Sequence, residues 1–196
     1  MRDIILVMTS TWRMLKALLG SRYYPLVDPS IDLRYRLPRK NLKKMRVLNV
    51  GVGSGRSGLA RQLPFIEFGS LTHIDVHQPY LDDAQKLTWD TKKISFVLAD
   101  VRDYPVEDFD LVLTFDVLEH ITKDEAVAVI DRIKGKHVGF GPLERCYRAN
   151  TFEVESQDHK SLWTEEDFIN LGFTTDVLKN FHKEDEEIFD ALWFLK

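Results

Sequence analysis

The stretch VLNVGVGSGRSG (Val47–Gly58) joins a short β-branched, apolar run to a cluster of glycines. Gly51 and Gly53 permit a tight turn, and they let a ligand approach the backbone where any Cβ would intrude. A helix following the loop would offer free N–H groups. Gly53, Gly55 and Gly58 fit G-x-G-x-x-G, the spacing of dinucleotide-binding loops. Gly51, Gly53 and Gly55 fit a second pattern, G-x-G-x-G. Asp75 stands 20 residues after Gly55. A carboxylate there can accept both hydroxyls of a ribose, whichever pattern applies. Farther along, His120, Glu144 and His159 are candidates for moving a proton. Each follows a strand or sits in a loop on the same edge.

These residues need a scaffold, and the pattern after Arg46 supplies one. Strands are predicted over Val47–Val50, Leu71–Val76, Ile94–Leu98, Phe109–Phe115 and Lys136–Phe140. Helices are predicted over Arg56–Leu63, Pro79–Trp89 and Thr122–Lys134. Thr122 is the expected N-cap, Glu125 its capping-box partner and Gly135 the stop. The alternation implies parallel βαβ units with right-handed crossovers. The strands are apolar throughout, as when helices cover both faces. Thr164–Leu171 is a short acidic-fronted helix stopped by Gly172. Phe173–Phe181 and Ile188–Leu195 are joined by HKEDEE, too short for a crossover helix, so this pair should be antiparallel. The sheet is five parallel strands finished by a hairpin.

The chain of 196 residues is 44% hydrophobic and 30% charged, as for one globular α/β domain with a modest attachment. No apolar run is long enough to span a bilayer. The first 20 residues read as an amphipathic helix rather than a signal peptide. The single cysteine, Cys146, cannot form an internal disulfide, which suits a reducing cytoplasm. Residues 1–46 hold 11 Lys/Arg against 3 Asp/Glu, a net of +8, and the remainder holds 16 against 28, a net of −12. The basic density peaks over Arg34–Arg46, a segment able to touch nucleic acid, an anionic membrane surface or an acidic substrate. It can equally be a solvated leader lying on the acidic domain.

Several segments carry a family resemblance: the spacing Gly51–Gly53–Gly55, Asp75, FVLADV ending near Asp100, FDLVLTFDVLEHI (Phe109–Ile121) and HKSLWTEEDFINLGF (His159–Phe173). In this order, over residues 46–196, they resemble the class I S-adenosylmethionine (SAM)-dependent methyltransferases. The resemblance implies a Rossmann-like three-layer α/β/α sandwich, with a seven-stranded, mostly parallel sheet and an antiparallel C-terminal strand. It implies SAM as cofactor and S-adenosylhomocysteine (SAH) as product. Residues 46–196 would form the SAM-binding domain, and residues 1–45 a basic helical extension, with Ile4–Leu19 as a lid over the site, a dimer contact or a membrane-surface element, the lid being favoured.

By the same resemblance, Gly51, Gly53 and Gly55 form the floor under the methionine and ribose. Asp75 binds the ribose diol, with Val76 in the same cofactor set. Asp100 and Val101 meet the adenine, and Phe115 and Asp116 lie near the methionine end. Asn49 stands where the family usually has Asp or Glu, keeping an acceptor and losing a charge. Asp116, His120 and His159 are the candidate catalytic residues. Each also has a plain structural reading: Asp116 as a helix N-cap, His120 as a local bond, His159 as a loop or helix-cap contact. Short loops favour a small-molecule acceptor. RNA or protein methylation through Arg34–Arg46, a non-catalytic SAM-binding role and a nicotinamide-dependent oxidoreductase are the competing functions.

Overall fold

The computed structural model describes residues 33–38, 41–53, 62–63, 66–86, 93–143, 158–184 and 187–196. Gly55, Gly58, Glu144, Cys146, the helix Ile4–Leu19 and most of Arg56–Leu63 lie outside the described residues. The elements are α1 (Leu33–Arg36), β1 (Arg46–Val50), β2 (Ser70–Asp75), α2 (Gln78–Lys86), β3 (Ile94–Leu98), β4 (Leu111–Phe115), α3 (Lys123–Arg132), β5 (Lys136–Pro142), α4 (Glu165–Asn170), β6 (Thr174–Glu184) and β7 (Glu187–Leu195).

They form one seven-stranded sheet in the order β3-β2-β1-β4-β5-β7-β6. The first five strands pair in parallel, and β7 enters antiparallel between β5 and β6. The predicted hairpin is therefore present. The chain reverses direction of growth between β1 and β4. This topological switch opens a crevice at the carboxyl ends of the strands, where open α/β sheets bind ligands.

Alternation along the strands divides the core. Val47, Leu111, Leu113 and Phe115 face one side, packed with Leu33, Leu37, Leu63 and Phe68. Leu48, Val50 and Val112 face the other side with Val129 of α3. Ala126 and Ile130 of α3 continue that face toward Phe168 of α4 and Phe194 of β7. Two covered faces explain why the central strands read as unbroken apolar runs. At the edge, β3 is only partly buried.

Several boundaries differ from the sequence reading: β6 runs on through Glu184 into the expected HKEDEE link, and three others bear on packing. β4 begins at Leu111, because Phe109 still closes a 3-10 turn over Val106–Asp108. α3 ends at Arg132, where Ile133 turns extended, so Gly135 is not its stop. Gly135 is instead required by close approach: a Cβ there would lie 2.4 Å from the Phe109 carbonyl oxygen. β5 is not closed by Gly141-Pro142 but runs through them, pairing with Leu192 and Ala191. The predicted cap of α3 is present, and α4 has a second one. Thr122 and Glu125 form a reciprocal capping box, and so do Thr164 and Asp167.

Candidate active site

The site has two halves, one on each side of the switch between β1 and β4. On the first, the chain leaves β1 through Gly51 and Gly53, both left-handed, at φ 72° and 62°. Glycine alone adopts these angles without strain. Gly51 has a second reason to lack a side chain, since a Cβ would sit 2.5 Å from Val117 Cγ2 just after β4. The loop is thus pressed against the mouth of β4.

Asp75, the last residue of β2, reaches under this loop. Its Oδ2 accepts from the backbone N–H of Val52 at 2.8 Å and of Gly53 at 3.2 Å, and Oδ1 accepts from His77 N–H at 2.9 Å. An ionised carboxylate has about four acceptor positions, so roughly one remains for a ligand hydroxyl. The carboxylate therefore shapes the glycine loop. The nearby Tyr80 phenol is pushed above its ordinary range by burial and by the charge of Asp75.

Asn49 is fully buried. Its Nδ2 lies 3.4 Å from the Gly51 carbonyl, to which it donates, and 3.2 Å from His73 Nδ1. Burial pushes the His73 imidazole down to about 4, so the ring is neutral near pH 7 and can accept that bond. Asn49 Oδ1 is left without a hydrogen-bond partner. A buried acceptor at the root of a glycine loop suits a polar ligand group or a bridging water. With the Gly51 cradle, it is the feature of this half that fits SAM.

At the ends of β2 and β3, Val76 is 49% and Leu98 is 56% exposed, giving an apolar rim. Asp100, two residues past β3, is engaged by the Arg102 guanidinium at 2.5–3.0 Å. That contact holds the Asp100 carboxyl below its ordinary range. Arg102 also binds Glu125 at 2.7 Å. Val101 is buried, and its carbonyl accepts from Arg132 at 2.9 Å. Phe115 is buried edge-on to Trp193, with ring centroids 6.0 Å apart, so its side chain belongs to the core.

The other half follows β4. Asp116 adopts φ 52°, an uncommon angle for a residue with a side chain. Its N–H donates to the Phe140 carbonyl at 2.8 Å. The N-cap reading of Asp116 is overturned: the 3-10 turn Leu118–His120 has Val117 at that position and no side-chain cap. Glu119 lies within this turn at 4% exposure, and its Oε1 has no hydrogen-bond partner. Burial, then the charge of Asp116, pushes its carboxyl well above the ordinary range.

A strap formed by residues 158–161 is bonded across this turn. Lys160 N–H and Ser161 N–H donate to the Glu119 carbonyl at 2.7 and 3.1 Å, and Ser161 Oγ donates to the Leu118 carbonyl at 3.1 Å. The strap brings His159 edge-on to His120, with ring centroids 4.7 Å apart. His120 Nδ1 lies 3.3 Å from the Asp158 carbonyl, so the expected local bond is a long-range one. The cap of α4 is Thr164, not His159. The structure thus brings His120 and His159 together and adds Glu119, which the sequence reading passed over. Its signal was present in LEHI, but only the tertiary strap shows that this acid is covered.

Comparison with known proteins fits this geometry. Residues 47–135 match the family described as "Methyltransferase domain". The N-methyltransferase NodS from Bradyrhizobium japonicum WM9, in complex with S-adenosyl-L-homocysteine, is 18% identical, with a TM-score of 0.56 over 94% of this chain and 96% of that one. The magnesium protoporphyrin IX methyltransferase ChlM from Synechocystis PCC 6803, with bound SAH, is 15% identical, with a TM-score of 0.57 over 97% of this chain and 94% of that one. No curated protein sequence matches the chain. The family match covers residues 47–135, and both SAH-bound neighbours share the fold of this chain.

Proposed function

We propose that the protein transfers the methyl group of SAM to a small-molecule acceptor in the cytoplasm, with the acceptor held on the side of Glu119, His120 and His159. The observation that carries this reading is the loop of Gly51 and Gly53 fixed by the Asp75 carboxylate beside the mouth of β4. Asp75 takes a ribose hydroxyl on its remaining acceptor position. Asn49, Gly51 and Gly53 lie along the methionine and ribose, with Val76 on the rim. Asp100 and Val101 border the adenine. Phe115 supports the methionine end from within the core.

A sulfonium methyl is already activated, so the protein supplies position. Orientation of two bound reactants is worth roughly 7–11 kcal/mol in favourable cases. Asp116 lies at the junction of the halves, and His120 or His159 receives the acceptor's proton where one must leave. The close strap at residues 158–161 favours a small acceptor over a polymer. Among the described residues, no helix is long and apolar enough to cross a membrane.

The test is calorimetric titration with SAM and SAH, with reduced nicotinamide as control, followed by SAH release across small acceptors and RNA. Micromolar binding of both sulfur ligands, no nicotinamide binding and turnover with a small acceptor are expected. A folded sample that binds neither sulfur ligand overturns the reading. Turnover with RNA alone, falling steeply with salt, would move the acceptor to nucleic acid.

A further inference from the structure

Glu119, His120 and His159 each offer one ligand atom, and these atoms all lie within 4.8 Å of one another. Two imidazoles and a carboxylate suit borderline divalent metals, which bond such atoms at about 2.0–2.2 Å. Donors bound to one ion lie within this limit, and the two half-buried rings adjust to the bonded spacing. The buried acid points the same way. Glu119 Oε1 is enclosed and has no partner, a costly arrangement for a carboxylate unless a cation or proton meets it.

The surroundings resemble the outer shell of metal sites. A His120 ring that donates from Nδ1 to the Asp158 carbonyl keeps its lone pair on Nε2, and such a bond fixes a ligand's tautomer and orientation. Ser161 anchors the strap to Leu118 and also accepts from Trp163 Nε1 at 3.0 Å, which holds the segment bearing His159.

We propose that Glu119, His120 and His159 bind one divalent transition-metal ion of the zinc class at the acceptor side of the site. Three protein ligands leave a coordination position open. That position holds water or, on the methyl-transfer reading, a donor atom of the acceptor.

The test uses the full-length protein without an affinity tag, stripped with a chelator. Zn2+ affinity is read by competition with a chromophoric chelator, and geometry by the visible bands of Co2+. One metal per chain is expected. His159→Ala and His120→Ala should each weaken Zn2+ binding by at least about 100-fold, as direct ligands affect affinity no less than their outer-shell partners do. Glu119→Gln should do likewise while keeping the buried volume. His77→Ala should leave it unchanged. Circular dichroism confirms folding of each variant, and SAH titration of the same samples reads the cofactor half separately. Wild-type protein that binds no Zn2+, or three ligand variants that bind it as well as wild type, overturns the proposal whatever SAH does.

Discussion

The two sides of the crevice are built by different means. On the β1–β2 side, the candidate groups are backbone atoms of a glycine loop, and one carboxylate, Asp75, ties that loop down through the N–H groups of Val52 and Gly53 while also accepting from His77 N–H. On the β4–β5 side they are side chains, and the strap that completes them lies about 40 residues along the chain from Leu118–His120. The first half is fixed by local conformation, where few alternatives exist. The second depends on long-range hydrogen bonds and can take new donor groups without disturbing the sheet.

The largest test of that contrast is Asp75→Ala. It removes the acceptor from two loop amides and one following amide. Losing the one charge-assisted bond left for a ribose hydroxyl, about 1.5–3 kcal/mol, should lower SAH affinity by roughly 100-fold. Titration calorimetry reads this, while Zn2+ affinity should stay within about threefold. Unchanged SAH affinity would mean the glycines hold the loop unaided.

This contrast also explains what the sequence disclosed. Gly51, Gly53 and Asp75 are adjacent to one another or at a fixed spacing, and their chemistry follows from backbone rules, so they were legible. The alternation of strands with helices and the Thr122 capping box were legible for the same reason. Glu119 was not. An acid beside His120 in LEHI reads as solvated until Lys160 and Ser161 are seen to close over its backbone. Gly135 shows a related limit: its residue type signalled a special backbone position, but whether that was a helix stop or a close approach to Phe109 depended on tertiary packing. Phe115 followed the strand pattern into the core, and proximity to a motif said nothing of its direction.

Each half also buries a neutral histidine, and these allow a second test. Burial pushes His73 down to about 4 and His137 down to about 3, with Lys196 adding to the latter. The unfolded chain titrates near 6.5, so below that pH it binds protons that the native state refuses until the folded values are reached. Stability is therefore full above about pH 6.5 and falls as the pH drops, by about 1.4 kcal/mol per pH unit for each histidine. His73→Gln and His137→Gln should each flatten the slope by that amount between about pH 6 and 5, measured by urea denaturation. An equal change in both variants would make the two halves one folding unit. A change in only one would show that they open separately.

The smallest effect concerns the anchor of the acceptor half. Thr164 caps α4, and Asp167 Oδ2 accepts from Thr164 N–H, Thr164 Oγ1 and Lys123 Nζ at 2.7–2.8 Å. Thr164→Ala should cost about 1 kcal/mol in urea denaturation, the usual loss for a helix cap. Because Thr164 continues from the strap bearing His159, the same change should weaken Zn2+ binding by a few-fold, while SAH affinity stays at the wild-type value. Thr122→Ala removes an equivalent cap on α3, away from the strap, and should match the stability loss without the metal effect. If both variants shift Zn2+ and SAH binding equally, the caps act through global stability alone, and the strap is not what sets the acceptor half.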